Sequence, residues 1–304
     1  MKSRITKNDF RLIVVVYLTL LLAGIVAWDR FGNAAILPFV ATAVLIVLVV
    51  QFEGVRRTSE QLTAMRASAF DDYRQVESLL SLFATLKPDL PLPPMREHSA
   101  SPDFLRHAVS IILSRKPSTV VELGSGASTI VIAYCLKRLG HGRIVSVDHE
   151  AKFAGITRGL IEEHGLQDFA TVLHLPLAPI RIEGREYLWY SMNNFELKDP
   201  VDFLVIDGPP YHVHPLARYP AIPLLLDRLA PDAAVLLDDA LRPGEKRIAK
   251  MWQTEFPEFT SAKLEAEKGA LFLTRSGSFS SNSPAGEFGE NESTAHPRAG
   301  VELG

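Results

Sequence analysis

Cysteine is nearly absent from this 304-residue chain, which contains Cys135 and no other. A single cysteine excludes an internal disulfide framework and fits a reducing compartment. It lies in an apolar helical run, residues 130–139, which favours a buried structural thiol over a nucleophile. A strong net charge is also lacking, because 32 basic and 35 acidic residues leave −3. Without a basic field to attract polyanions, we expect no nucleic-acid partner.

Long uncharged apolar runs occur only near the start of the chain, at residues 12–28 and 34–52. At about 1.5 Å per helical residue, each run crosses or nearly crosses a hydrocarbon layer of about 30 Å. A polar turn, residues 29–33, joins them, and this pattern predicts a transmembrane helical hairpin over residues 1–52. A cleaved signal peptide is the alternative, but a second apolar run follows where polar mature sequence should begin.

The placement of basic residues predicts an orientation for this hairpin. Four precede the first run and several follow the second, whereas the connecting turn has only Arg30. Both ends should then face the cytoplasm. The sequence therefore predicts a two-pass inner-membrane protein with its large C-terminal part in the cytoplasm.

Residues 53–98 read as a helical segment followed by a proline-rich linker. Apolar residues recur every seven positions along the helical part, with a second stripe three residues on. The first stripe consists of Val55, Leu62, Ala69, Val76 and Phe83. Two interpretations stay open: a coiled-coil homodimer through residues 55–86, or an amphipathic helix packed on the membrane surface or the catalytic domain.

Between residues 99 and 275, short apolar runs alternate with helical stretches, while the composition of residues 276–304 predicts a disordered tail. The predicted strands are residues 119–123, 143–147, 170–174, 201–206, 233–237, 261–264 and 270–274. The predicted helices are residues 101–114, 128–139, 151–164, 215–229 and 244–256. This alternation is typical of an α/β fold with a doubly wound, mostly parallel seven-stranded sheet. Its ligand should lie at the carboxyl ends of the strands.

A glycine turn follows the first predicted strand, which ends near Glu122. Gly124 and Gly126 let backbone N–H groups approach a ligand closely, and Ser128 can cap the next helix. The second strand ends at Asp148, where an acidic residue can hold the two hydroxyls of a ribose.

The Glu-x-Gly-x-Gly pattern with an acidic second strand resembles the class I S-adenosylmethionine-dependent methyltransferases over residues 99–275. An NAD-type or nucleotide-sugar site is disfavoured, because Thr129 replaces the third glycine and Glu122 would repel a pyrophosphate. The same carboxylate suits the cationic amino-acid end of S-adenosylmethionine. The resemblance implies S-adenosylmethionine as cofactor. The implied contacts come from Glu122, Gly124, Ser125, Gly126, Ser128, Asp148 and His149.

The fourth strand ends in Asp207-Gly-Pro-Pro210, and the fifth ends in a pair of aspartates. This combination looks like a small bacterial branch near the catechol-type O-methyltransferases. That type holds a divalent metal with two such acids and an asparagine. Asp207 and Asp239 match the acids, but Ala240 stands at the asparagine position and Pro210 where that type has lysine. A metal is therefore not favoured.

A hydroxyl acceptor needs a base, and histidine is the usual one near neutral pH. His212 and His214 are the candidate bases, with Asp207 orienting the acceptor. Asp207 and the two histidines could instead ligate a metal with Asp239. Arg218, Tyr219 and Asp239 are the candidate acceptor contacts, although Arg218 and Tyr219 could simply cap the next helix.

Trp189 and Tyr190 could form an aromatic acceptor wall, but packing against the sheet is favoured for both.

Together these patterns predict a membrane-anchored methyltransferase that acts on a small-molecule or lipid-linked acceptor. The alternative from another class is a nonenzymatic membrane scaffold whose methyltransferase-like domain only binds a ligand. Turnover of an acceptor separates the two.

Overall fold

The structure is a computed structural model that describes residues 15, 19, 22–26, 28–30, 32–96, 99–192 and 195–275. The chain forms two compact units, residues 1–72 and 73–304. The predicted domain boundaries stay predictions. Most of the first apolar run and the whole predicted tail lie outside the described residues.

A single long helix replaces two predicted segments near the start of the chain. After a 3₁₀ turn at Gly32–Ala35, helix α1 runs without interruption over Ile36–Leu86. The second apolar run and the predicted helix after it are thus continuous, and Gly54 does not break the helix.

Within the part of the chain that the structure describes, no helix is both long and apolar enough to span a bilayer. The predicted two-pass inner-membrane localisation is therefore wrong, and the membrane hairpin is not supported. In α1, charged residues begin at Glu53, which pairs with Arg56 and Arg57.

The second unit is built on a mostly parallel sheet flanked by helices, which confirms the predicted α/β doubly wound fold. Its strands are β1 (Thr119–Leu123), β2 (Arg143–Asp148), β3 (Ala170–His174), β6 (Val201–Ile206), β7 (Leu229–Leu237), β8 (Phe259–Leu264) and β9 (Ala270–Arg275). Among the described residues, these seven strands are ordered β3-β2-β1-β6-β7-β9-β8. The pairs from β3 to β7 are parallel, whereas β9 runs antiparallel to β7 and to β8.

Both faces of this sheet are covered, because successive residues of a strand point to opposite sides. On β1, Val120 belongs to one core cluster and Val121 to the other. The helices of the unit are α2 (Pro102–Arg115), α3 (Ala127–Leu139), α4 (Ala151–Glu163), α5 (Ala221–Leu225) and α6 (Pro243–Glu255). Helices α2, α3 and α4 contribute to the first cluster, and α5 and α6 contribute to the second.

The last two turns of α1 belong to the first cluster. Leu82 and Leu86 are buried in it, and Ser78 and Gln75 are buried one and two turns before Leu82. The Gln75 amide donates to Asp103 at the start of α2 (2.8 Å). Of the two interpretations of this segment, packing on the catalytic unit is the one seen for these last turns.

A short antiparallel hairpin, β4 (Leu177–Ile182) and β5 (Arg185–Tyr190), was not predicted. Its turn residues, Glu183 and Gly184, both have positive φ angles, 49° and 79°. Such a two-residue turn matches the twist of paired strands. The hairpin buries Tyr187, Trp189 and Tyr190 in the second cluster, so the packing role predicted for Trp189 and Tyr190 is observed.

The predicted helix over residues 215–229 is wrong in extent, since α5 covers only Ala221–Leu225. Prolines at positions 215, 220 and 223 interrupt the backbone hydrogen bonding that a longer helix needs. The residues before α5 form turns instead, and these turns carry Arg218 and Tyr219 to the sheet edge.

Candidate active site

The carboxyl ends of β1, β2, β6 and β7 converge at one edge of the sheet. Backbone bonds tie the residues after each strand to the neighbouring strand: Gly124 N–H donates to Val147 O (2.8 Å), and Asp207 N–H to Leu123 O (2.9 Å). Asp238 N–H donates in the same way to Ile206 O (3.0 Å). The acidic residues predicted from sequence are therefore brought to one edge.

Glu122 is fully buried beneath the glycine turn. Its Oε2 accepts hydrogen bonds from the hydroxyls of Thr129 (2.6 Å) and Ser146 (2.5 Å). Its Oε1 has no hydrogen-bond partner among the described residues. A buried carboxylate oxygen without a donor is costly, so this atom is suited to receive a donor from a ligand.

Burial raises the pKa of Glu122 to about 7, and the hydroxyl donors only partly oppose this. A cation near Oε1 would favour the ionised form and lower this pKa again. The chemistry of Glu122 therefore fits the ammonium group of an amino-acid moiety.

Helix α3 begins at Ala127 with Gly126 as its N-cap, so the expectation that Ser128 caps it is wrong. The Gly126 N–H is already satisfied by Thr129 Oγ1 (3.1 Å). Ser128 lies one position inside the helix, near enough to Glu122 for its hydroxyl to oppose the rise in that pKa.

Gly124 brings the turn after β1 into contact with the end of β6. Its φ is +106°, and a Cβ at this position would lie 3.3 Å from the carbonyl carbon of Asp207. A Cβ on Gly208 would lie 2.5 Å from the Tyr190 hydroxyl and 3.2 Å from Gly124 N. The two glycines thus permit a three-way approach of the β1 turn, the β6 turn and Tyr190.

Asp148 lies at the end of β2, next to the glycine turn. Its Oδ2 accepts from the Ser125 hydroxyl (2.6 Å), and its Oδ1 accepts from Glu150 N–H (2.9 Å). The half-buried ring of His149 lies 3.7 Å from Oδ1 of Asp148. The structure thus brings together Ser125, Asp148 and His149, as the predicted ribose and adenine contacts require.

Arg218 is the centre of the acidic cluster after β6 and β7. Its Nη2 donates to Asp207 Oδ1 (3.0 Å), Asp207 O (3.0 Å) and Asp239 Oδ2 (2.9 Å). Its Nη1 donates to Asp238 O (2.9 Å). Arg242 makes a second pair with Asp239 (2.7 Å).

Burial raises the pKa of Asp207, and Arg218 partly opposes this. The pKa of Asp238 is raised well above its ordinary range by burial and by the neighbouring Asp207 and Asp239 carboxylates. The side chain of Asp207 is 20% exposed, whereas that of Asp239 is 3% exposed. Asp207 is therefore the acid of this pair that an acceptor can reach more readily.

A divalent metal does not fit this cluster. Oxygens of Asp207, Asp238 and Asp239 lie within 4.8 Å of one another, which is a spacing that a metal ion could use. Arg218 Nη2, however, already bonds to both Asp207 and Asp239. Within the described residues the group contains no histidine, so the alternative metal set with His212 and His214 is not formed.

The two candidate bases lie apart from this cluster. His212 is exposed beside the ring of Tyr211. His214 packs against Tyr187, and its Nδ1 accepts from Leu216 N–H (3.0 Å). Because Nδ1 accepts, the neutral ring carries its proton on Nε2 and lacks a free lone pair.

Tyr219, a predicted acceptor contact, lies in the second core cluster. Its hydroxyl donates to Glu255 on α6 (2.5 Å), and its ring stacks on Tyr187 with centroids 5.2 Å apart. These contacts point to packing at this position.

Sequence reasoning gave no role to Ser146 or Asp238. Ser146 is a polar residue inside a buried strand and pairs in register with Glu122, which is a signal that a strand alignment could have used. Asp238 precedes Asp239, and no sequence pattern distinguished the two. The Tyr190 hydroxyl was also missed, because its position depends on the unpredicted hairpin.

Comparison with known proteins gave a family match and several structural relatives. Residues 121–240 match the family model described as a methyltransferase domain. No curated protein matches this chain. The family match confirms the predicted enzyme class, a methyltransferase.

Among solved structures, the chain is similar to the S-adenosylhomocysteine-bound methyltransferase PaMTH1 of Podospora anserina. The identity is 16%, with 70% of this chain and 95% of that chain covered and a TM-score of 0.50. It is also similar to an O-methyltransferase from Bacillus cereus, at 21% identity, with 68% and 97% covered and a TM-score of 0.46. The similarity to PaMTH1 agrees with the fold described above.

Proposed function

We propose that this chain transfers the methyl group of S-adenosylmethionine to a small-molecule acceptor at the carboxyl edge of β6 and β7. The observation that carries the proposal is the juxtaposition of Glu122, Asp148 and Asp207 at that edge. Gly124 and Gly208 keep the turns that bear these acids in contact.

The cofactor side consists of the glycine turn and the end of β2. The unpartnered Oε1 of Glu122 would favour the ammonium group of the methionine part, and the Asp148 carboxylate would bind the ribose hydroxyls. S-adenosylhomocysteine bound to PaMTH1 supports the same cofactor, which is the one predicted from the sequence.

The acceptor side begins at Asp207. In the transfer step, an acceptor oxygen attacks the methyl carbon in line, the carbon–sulfur bond breaks, and its electron pair stays on a now neutral sulfur. The acceptor proton must leave to a base. Asp207 Oδ1 is held by Arg218, and the partly exposed carboxylate is the acid best placed to orient the acceptor hydroxyl or take its proton.

His212, His214, Arg218, Tyr219 and Asp239 stay predictions as catalytic or acceptor residues. The hydrogen bond of His214 and the packing of Tyr219 indicate a structural role for both residues. The role of His212 can be defined only with a bound acceptor. A lipid-linked acceptor was inferred from the membrane hairpin and is no longer part of the proposal.

The homodimer through residues 55–86 also stays a prediction. Val55, Leu62, Val76 and Phe83 of its heptad stripe are exposed. Their exposure leaves the stripe available, while the last two turns of α1 use a different face for packing.

Calorimetric titration of the full chain with S-adenosylmethionine, S-adenosylhomocysteine and NAD tests the cofactor. We expect the first two to bind at micromolar concentration and NAD to give no heat. Asp148→Ala should weaken both by about tenfold or more, through loss of charge-assisted hydrogen bonds. NAD binding alone, or an unchanged affinity in Asp148→Ala, would reject the assignment.

A matched control is Asp202→Ala. Like Asp148, the Asp202 carboxylate accepts two hydrogen bonds, here from the backbone N–H groups of Ser118 and Thr119, but at the opposite edge of the sheet. Its replacement should leave cofactor affinity unchanged. Formation of S-adenosylhomocysteine with a panel of phenols, alcohols and amines then separates the enzyme from a ligand-binding scaffold.

A further inference from the structure

The acidic cluster after β6 and β7 contains its own cation. Arg218 is 2% exposed, and a single nitrogen, Nη2, lies 3.0 Å from Asp207 Oδ1 and 2.9 Å from Asp239 Oδ2. The same nitrogen also bonds to the main-chain carbonyl of Asp207. Nη2 therefore bonds to three oxygens of the kind that hard divalent cations select.

Burying carboxylates side by side is unfavourable unless a cation compensates them. Arg242 lies on the outer side of the cluster, where its side chain is 36% exposed and bonds only to Asp239 among the three aspartates. Arg218 is thus the cation that joins Asp207 to Asp239.

We propose that Arg218 is a built-in cation that occupies the place of a divalent metal and fixes the Asp207 carboxylate for the acceptor. That Arg218 acts on the methyl acceptor rests on the proposed function. That Arg218 occupies the place of a metal ion does not depend on that function. Arg218 is a positioning residue, because it acts through Asp207.

The geometry supports a site for a cation rather than an ordinary pair of charges. Two carboxylate oxygens of the cluster, Asp238 Oδ2 and Asp239 Oδ1, are buried without a hydrogen-bond partner in the part of the chain that the structure describes, even with Arg218 present. A planar guanidinium offers its donors in one plane and leaves such oxygens unused, whereas a metal ion accepts ligands all around. Removal of the guanidinium should therefore leave a pocket of uncompensated oxygen ligands.

Manganese binding tests this without any methyl acceptor. The probe is Mn²⁺ alone, and free Mn²⁺ is measured by electron paramagnetic resonance with the full chain. We expect the wild-type chain to bind no Mn²⁺ at this site up to about 1 mM. Arg218→Ala should gain a site with at least about tenfold higher affinity, and Mn²⁺ should raise its thermal midpoint.

Three further variants define the site. Arg242→Ala removes the other cation of Asp239 and should gain no Mn²⁺ site, because Arg218 still occupies the centre. Arg218→Ala combined with Asp239→Asn should lose the gained site. Arg218→Lys keeps a positive charge and should bind no Mn²⁺. If Arg218→Ala fails to fold, Arg218→Lys serves as the folded comparison.

Wild-type binding of Mn²⁺ that Asp207→Asn or Asp239→Asn abolishes would overturn the proposal, and it would do so even if no Arg218 variant folds. A folded Arg218→Ala chain that gains no Mn²⁺ site would overturn it as well, since an ordinary structural ion pair predicts lost stability and no metal response. Failure of S-adenosylmethionine to bind would reject the proposed function and leave this result unaffected.

Discussion

The Glu122 carboxyl group is buried, and one of its oxygens has no hydrogen-bond partner among the described residues. Its contribution to the free energy of unfolding therefore depends on pH. Its pKa in the folded chain is about 7, against an ordinary value of 4.5. A raised pKa means that the folded state holds the proton more tightly, so the stabilisation is complete below pH 4.5 and is lost as pH rises through 7. The upper limit of this loss is about 3 kcal/mol, at roughly 1.4 kcal/mol per pKa unit.

Replacement of Glu122 by glutamine should remove this loss. Without cofactor, we expect the free energy of unfolding of Glu122→Gln, measured with urea, to exceed that of the wild-type chain by up to about 3 kcal/mol at pH 8. Near pH 4.5 the two should be equal. The same variant should bind S-adenosylmethionine more weakly, because a neutral amide compensates an ammonium group poorly. The control is Glu186→Gln at an exposed position, and equal stabilities at pH 8 would contradict the argument.

Tyr190 offers a second test at the residue scale. Its buried hydroxyl has no hydrogen-bond partner within residues 99–192 and 195–275 or elsewhere in the described chain, and it lies against the Gly208 backbone. Burial raises the pKa of Tyr190 well above its ordinary value, so the hydroxyl keeps its proton and can donate it to a ligand. Tyr190→Phe should weaken S-adenosylhomocysteine binding by about five- to tenfold, which corresponds to the loss of one hydrogen bond. The free energy of unfolding should not change.

Tyr187→Phe is the matched control, since Tyr187 lies on the same strand and also has a buried hydroxyl without a partner. Its ring stacks on Tyr219, away from the glycine turn. We expect calorimetry to give the wild-type affinity for this variant. If both variants bind equally well, the Tyr190 hydroxyl is only part of the core.

Among the secondary-structure elements, the last turns of α1 have one buried face and one exposed face. Leu82 is 1% exposed and Val76 is 53% exposed, although both are apolar residues of one helix. Leu82→Ala should lower the free energy of unfolding by about 2–5 kcal/mol through a cavity in the first core cluster. Val76→Ala should change it by less than about 0.5 kcal/mol, as is usual at the surface. Equal effects in urea unfolding would show that the helix does not pack as described.

The same scale explains what sequence could predict. Central strands such as β1 and β6 are mostly apolar, with one acidic residue each, and they hydrogen-bond on both sides. The apolar pattern alone therefore located them within a residue. The hairpin β4–β5 was missed because Pro179 interrupts its alternation and its turn uses Glu183 with positive φ, where asparagine or aspartate is usual.

The site divides along similar lines. Glu122, Asp148 and Asp207 were predictable because each lies within one residue of the end of a strand, and parallel strands bring such positions to one edge. The role of Arg218 was not predictable from the sequence. Its side chain reaches the acids from a proline-rich turn that the sequence analysis assigned to a helix. Tertiary contacts set that position, and no local periodicity encodes them.

The second compact unit extends beyond the residues that match the family model. The family match begins at residue 121, whereas the compact unit begins at residue 73 and includes the end of α1 and all of α2. The carboxylate of Asp103 joins these parts, since Oδ2 accepts from Gln75 Nε2 (2.8 Å) and from Glu267 N–H (2.8 Å). A domain cut at the proline-rich linker would therefore remove buried contacts.

Two truncations test this at the scale of the molecule. A chain of residues 73–304 should unfold with the stability of the second unit in the full chain and bind S-adenosylmethionine with unchanged affinity. A chain of residues 88–304 lacks Gln75, Leu82 and Leu86, and it should lose several kcal/mol of stability, since each deleted buried leucine alone is worth about 2–5 kcal/mol. Thermal unfolding and calorimetry on both chains give the comparison. Equal midpoints would mean that the end of α1 is a dispensable extension, and the domain would then begin after the linker, near the predicted residue 99.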